Sequence, residues 1–236
     1  MNATTEVSRH VLSASGLRRD YGRQAGLVHA VDGVDLDIAR GETVAIMGPS
    51  GCGKSSLLYL LGGLDRPSAG QIWLDGVDMT RLTERRLARV RREAIGFVFQ
   101  AFHLMDELSA VENVELPALL AGRSPRAARR RATELLERVG LADRARFLPT
   151  QLSGGQRQRV AVARALVADP ALVLADEPTG NLDSAATADV LGLFDSLHAA
   201  GQTLIIVTHD PKVAATADRT IPMRDGVFTS QAALKG

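Results

Sequence analysis

An α/β fold with a parallel core sheet is predicted by how apolar residues are distributed along the chain. Four short runs, beginning at Thr43, Ile95, Leu172 and Thr203, are almost continuously apolar and end in polar or glycine-rich residues, as expected of strands buried on both faces. From Val11 to Asp78 the pattern alternates instead, and Asp-Gly and Arg-Gly turns interrupt it in VDGVDLDIARGE and GQIWLDGVDM. That pattern predicts an antiparallel sheet, with Trp73 as one of its residues. Between Gln100 and Leu152 the chain is rich in alanine, leucine and arginine, which predicts a helical subdomain.

The 236 residues suffice for one sizeable core. A single domain over 8–230 is expected, with core and sheet at about 8–100 and 168–230, a helical subdomain at about 101–167, and flexible ends at 1–7 and 231–236. Basic and acidic residues number 28 and 27, so the net charge of +1 argues against a nucleic-acid footprint. One cysteine cannot form an internal disulfide. The start, MNATTEVSRH, has no apolar leader, and no stretch approaches the roughly 18 apolar residues of a membrane span. A cytoplasmic, soluble chain is expected.

After the run Thr43–Met47 comes GPSGCGKS, residues 48–55, and then SLLYLL, which reads as a helix. This strand, glycine loop and helix start match the phosphate-loop pattern G-x-x-x-x-G-K-[ST]. Gly48, Gly51 and Gly53 let backbone N–H groups approach phosphate oxygens, with Pro49, Ser50, Cys52 and Ser56 completing the cradle. Lys54 is expected at the β- and γ-phosphates, and the Ser55 hydroxyl on Mg²⁺. Cys52 is read as an incidental small residue or as a redox switch.

A second run, ALVLADEP from Ala171 to Pro178, ends in adjacent acids. Asp176 is expected to hold the metal through water, and Glu177 to act as general base toward the attacking water. Upstream of it, Ser153-Gly154-Gly155-Gln156 fits the capping box S-x-x-Q, and RVAVARALVA continues as a helix until Asp169-Pro170. That helix end lacks bulky side chains, so its unpaired N–H groups can serve an anion.

LSGGQ, placed between GPSGCGKS and LVLADEP, resembles the ATP-binding subunit of ABC transporters, and the resemblance covers nearly the whole chain. It implies a P-loop NTPase of RecA-like type, with an antiparallel β subdomain and a helical subdomain carrying the signature motif. The implied cofactors are ATP and Mg²⁺. By the same resemblance, Ser153, Gly154, Gly155 and Gln156 dock on the γ-phosphate of ATP held by a second copy of the chain. Gln100 matches the glutamine that touches Mg²⁺ and the attacking water, and His209 the switch histidine at the γ-phosphate. Asn181, Leu182 and Asp183 match the loop that crosses the dimer interface. Tyr21 matches the adenine platform, where stacking is worth about 1–3 kcal/mol, although an early tyrosine equally suits the antiparallel sheet.

The segment FQAFHLMDELSAVENVELPALLAG, with Asn113 and Pro117, together with VLADEPTGNLD and MRDG, is most similar to the lipoprotein-release and macrolide-export group. Those subunits pair with FtsX-like integral membrane permeases, which places the chain at the inner face of the membrane. With the chain ending soon after His209, neither a carboxy-terminal regulatory domain nor a fused membrane domain is expected. Related readings are a polar-solute importer and a regulatory or cell-division relay that uses the same ATPase. A soluble ABC ATPase of DNA repair or translation would need an insertion or a second cassette, and a P-loop kinase has no reason to carry LSGGQ. Two basic segments, Arg81–Glu93 and Arg123–Val139, read as solvated faces of amphipathic helices or as attraction to phospholipid headgroups.

Overall fold

The computed structural model describes residues 10–22 and 26–229, so the expected flexible ends lie outside the described residues. Two compact units emerge: one comprises the described residues up to Leu87 and from Gly201 onward, the other Ala88–Ala200.

In the first unit, β1 (His10–Tyr21), β2 (Val28–Ala39), β4 (Ala69–Leu74) and β5 (Val77–Asp78) form an antiparallel sheet in the order β2-β1-β4-β5. Register decides which residues enter the core. Leu12 lies between Ile38 and Leu74, and Ala14 between Leu36 and Ile72, all of them buried. Trp73 points to the other face, at 37% exposure, as the period of two requires. Asp75-Gly76 joins β4 to β5 with φ of 50° and 76°, the two-residue turn whose twist suits a hairpin.

The same unit holds β3 (Thr43–Met47), β8 (Leu204–Thr208), β9 (Arg219–Arg224) and β10 (Val227–Phe228). β3 is parallel to both β8 and β9, and β9 turns back antiparallel into β10 through a second Asp-Gly pair, Asp225-Gly226. Every residue of β8, and β3 from Thr43 to Ile46, is buried, which explains their unbroken apolar character. Helix α1 (Lys54–Leu61) buries four leucines, and α7 (Pro211–Ala214) is a single turn capped by Asp210. Helix α2 (Glu84–Ala94) buries only Leu87 and leaves Arg85, Arg86, Arg89 and Arg92 exposed.

The second unit pairs β6 (Ile95–Phe99) in parallel with β7 (Leu172–Asp176). α5 (Gly154–Leu166) packs on β6, and α3 (Ala110–Leu120), α4 (Pro125–Arg138) and α6 (Ser184–Ala199) pack against α5. Gly96 permits the close approach of β6 to α5, because a Cβ there would fall 2.3 Å from the Ala165 carbonyl oxygen. α3 opens on a capping box of Ser109 and Glu112, whose hydroxyl and backbone hydrogen bonds from Ser109 hold the Glu112 carboxyl below its ordinary value. Buried Asn113 donates to the carbonyls of Met105, Leu108 and Ser109 and accepts from the Met105 N–H, which ties the preceding loop to α3. α4 buries Ala128, Ala132, Leu135 and Leu136 and leaves Arg126, Arg129, Arg130 and Arg138 exposed. Among the described residues no helix is long and apolar enough to cross a membrane.

Candidate functional site

The loop 48–53 between β3 and α1 is glycine-rich for two separable reasons. At Gly48 a Cβ would stand 2.1 Å from the Met223 carbonyl oxygen, and at Gly53, with φ of 103°, it would stand 2.0 Å from that of Ala30. Gly51 also has positive φ, at 80°, but open space around it. Gly53 caps α1 without a side-chain acceptor, and the first turn holds no acid, so the helix end keeps its positive potential. Lys54 is buried, and its Nζ donates to the carbonyls of Gly48 and Pro49 at 2.8 and 3.1 Å, which stretches the ammonium along the loop. A cavity of about 390 Å³ opens here, lined by Val28, His29, Ala30, 51–56, Asp225 and Gly226. Its floor of backbone N–H groups and an ammonium suits a polyphosphate.

Two lining features were not read from the sequence. The hairpin turn Asp225-Gly226 is strapped to the loop by the Gly226 N–H to the Cys52 carbonyl at 3.0 Å, and to β2 by the Asp32 N–H to the Gly226 carbonyl at 2.9 Å. His29 is a wall residue, with its Nδ1 2.7 Å from Asp20 Oδ1. Cys52, which the sequence placed in the loop, is a buried free thiol. The second Asp-Gly pair was the available signal for the first of these.

Tyr21 closes β1 and is 41% exposed. Its hydroxyl donates to Asp65 at 2.9 Å, and the Arg19 guanidinium lies 4.5 Å from the ring centroid, covering one ring face. His209 follows β8 and is exposed. Next to it, the Asp210 N–H donates to the Thr208 hydroxyl and the Asp210 side chain caps α7.

In the second unit the β6–β7 register sets Phe99 opposite Asp176, so Gln100 and Glu177 are the next residues at the carboxyl ends of adjacent strands. Asp176 is buried, and Glu177 takes φ of 45°, a left-handed conformation that costs a non-glycine residue about 1–3 kcal/mol. Gln100 and Asn181 bond reciprocally: Gln100 Nε2 donates to Asn181 Oδ1 at 3.2 Å, and Asn181 Nδ2 to the Gln100 carbonyl at 3.1 Å. Gly180 lies close beside them, and a Cβ there would meet Gln100 Nε2 at 2.7 Å and displace the amide. Asp183 caps α6 by accepting from the Ala186 N–H at 2.8 Å.

Beyond Gln100 the chain turns through Phe102 and His103, with φ of 62° and 49°. Arg164 of α5 donates to both of their carbonyls, at 2.7 Å to Phe102, and burial lowers this guanidinium to about 10 without neutralising it at physiological pH. Arg157 lies over the Phe102 ring at 5.0 Å. Neither arginine stood out in the sequence, where both read as ordinary helix formers.

The capping box at the start of α5 forms as expected. Ser153 Oγ accepts from the Gln156 N–H at 3.3 Å, and Gln156 Oε1 accepts from the Ser153 N–H at 2.9 Å. Gly155 is needed inside the chain as well, because a Cβ would fall 2.7 Å from Ala186 Cβ, whereas Gly154 has room. Ser153 is exposed, and the first turn of α5 has no acid. The hydroxyl of Ser55 and the carboxylate of Asp176 are hard oxygen donors of the kind Mg²⁺ takes.

A family profile described as "ABC transporter" matches residues 31–180. The chain is 50% identical over 221 residues to the macrolide export ATP-binding/permease protein MacB 1/2 of Paracoccus denitrificans, covering 94% of this chain and 33% of that protein. It is 48% identical over 216 residues to the uncharacterized ABC transporter ATP-binding protein YvrO of Bacillus subtilis, covering 92% and 94%. The chain thus spans about a third of the length of the MacB relatives it matches. Among solved structures, the dimeric post-hydrolysis state of the ATP-binding cassette MJ0796 bound to ADP and Pi matches with a TM-score of 0.86 at 40% identity, over 95% of this chain and 99% of that one.

Proposed function

The chain belongs to the ABC transporter family, as an ATPase cassette that uses ATP with Mg²⁺, and from that premise we propose that it pairs head-to-tail with a second copy to drive a separate FtsX-like membrane permease. The work done is export or extraction of a lipoprotein, peptide or drug, with the cassette peripheral on the inner face of the membrane. The observation that carries this reading is the division of the phosphate-binding parts. The Lys54 loop belongs to one compact unit and the bare, capped helix end Ser153–Gly155 to the other. Pairing two chains then lets each helix end serve its partner's triphosphate, and the dimeric, ADP-and-Pi-bound MJ0796 cassette supports the pairing.

Bound Mg²⁺ supplies neutralisation of phosphate charge, and Ser55, Asp176 and Gln100 would hold it. The 48–53 backbone and Lys54 bind the triphosphate, Tyr21 offers its uncovered ring face to adenine, and Glu177 takes a proton from the attacking water. Gln100 and His209 orient that water and the γ-phosphate, and Asp183 fixes the start of α6 at the interface. Loss of the γ-phosphate removes the contacts that favoured the closed pair, so the pair opens. Affinity capture of the tagged chain from native membranes tests the partner: an FtsX-like permease is expected, and DNA or ribosomes in its place would overturn the transport reading.

A further inference from the structure

Helix α5 joins two sites that the proposed function keeps apart. Its amino end, Ser153–Gly155, is assigned to the partner's nucleotide. Five residues on, about 7.5 Å along the axis, Gln158 is wholly buried, and its Nε2 donates to the Pro178 carbonyl at 2.6 Å. Pro178 directly follows Glu177, whose left-handed φ of 45° persists only where its surroundings impose it. Proline has a fixed φ and no N–H, so the turn is held through carbonyls. The Gly180 N–H takes that of Glu177 at 3.0 Å, and Gln158 takes that of Pro178. Packing alone does not call for an amide there, since an apolar side chain of similar size fills such a space without desolvating polar atoms.

We propose that Gln158 is a positioning residue for Glu177, and that through it each chain's base is aimed by the same helix that reaches the opposite nucleotide. Docking of Ser153–Gly155 on the partner's triphosphate is thereby felt at Pro178 of the same chain, and hydrolysis at one site is coupled to closure at the other. This rests on the assignment of Glu177 as base and of Ser153–Gly155 as the partner's contact.

The test is Gln158→Met in the full chain, which keeps length and removes the donor. Steady-state turnover is expected to fall at least tenfold in kcat, while equilibrium binding of a fluorescent ATP analogue stays within twofold, because the Lys54 loop lies in the other unit. In a Glu177→Gln background the same substitution should change the residual turnover by less than twofold, since two residues acting as one unit are not additive. A kcat within twofold of the parent, or an equal fold-loss in both backgrounds, would overturn the positioning role. So would a Gln158→Met chain with no cooperative thermal transition, which would assign the bond to folding. Full turnover by Glu177→Gln alone is a distinct failure, of the base assignment itself.

Discussion

The Lys54 loop and the Glu177 turn, which the proposed function assigns to phosphate chemistry, are built in opposite ways. The loop obtains its shape from glycines whose missing Cβ leaves room for neighbouring carbonyls, at Gly48 beside Met223 and at Gly53 beside Ala30. The turn, and the segment after Gln100, use non-glycine residues in left-handed backbone: Glu177, Phe102 and His103. Side chains from elsewhere in the second unit hold them, with Gln158 on Pro178, Arg164 on Phe102 and His103, and Asn181 on Gln100. The cradle is shaped by close backbone packing, and it needs β2 and β9 in place because Ala30 and Met223 lie against its glycines. The Glu177 turn and the segment after Gln100, held by side-chain bonds from α5, depend on how that helix packs, and so can be adjusted.

The largest effect should come from Gly53→Ala. With φ of 103° and a Cβ 2.0 Å from backbone, it is expected to cost about 3 kcal/mol or more in denaturant unfolding. Gly51→Ala, left-handed but in open space, should cost about 1–2 kcal/mol. Equal costs would mean that crowding does not shape the loop. Next, Arg164→Met leaves two carbonyls without their donor, each worth about 1–3 kcal/mol, and should lower turnover about 10- to 100-fold with ATP affinity nearly unchanged. An affinity loss of the same size would erase the contrast between loop and turn. Asn181→Ala removes an exposed reciprocal amide pair worth about 1 kcal/mol, so turnover should fall about fivefold.

The smallest effect concerns acid. Burial pushes the Asp169 carboxyl up, but Arg123 and Arg131 outweigh it and hold the group below its ordinary 3.8. A depressed carboxylate contributes stability that is present above 3.8 and lost as pH falls through the folded value. Asp169→Asn should flatten melting temperature against pH below that point and leave turnover at pH 7 unaltered.

The same division explains what could be read from the sequence. β3, β6, β7 and β8, the phosphate loop and the α5 capping box follow from short apolar runs and local residue chemistry, and each forms where the pattern put it. β9 did not announce itself, because Ile221-Pro222-Met223 is brief and proline is normally a poor strand residue; its parallel pairing with β3 decides the matter. Asp225-Gly226 is as plain a turn signal as Asp75-Gly76, yet only the tertiary structure brings it to the cavity wall beside His29. Gln158 and Arg164 carry no local signal, since their partners lie 20 and 61–62 residues away. The Gln156 side-chain oxygen and the Ser153 hydroxyl, both expected at the nucleotide, meet each other's backbone N–H in the capping box.

In the proposed cycle ATP clamps two copies together, and Glu177 drives the chemistry that releases them. Light scattering of Glu177→Gln with MgATP tests it most directly. A persistent dimer that reverts to monomer when the nucleotide is removed is the expected result, and a chain that stays monomeric at saturating MgATP would contradict the account.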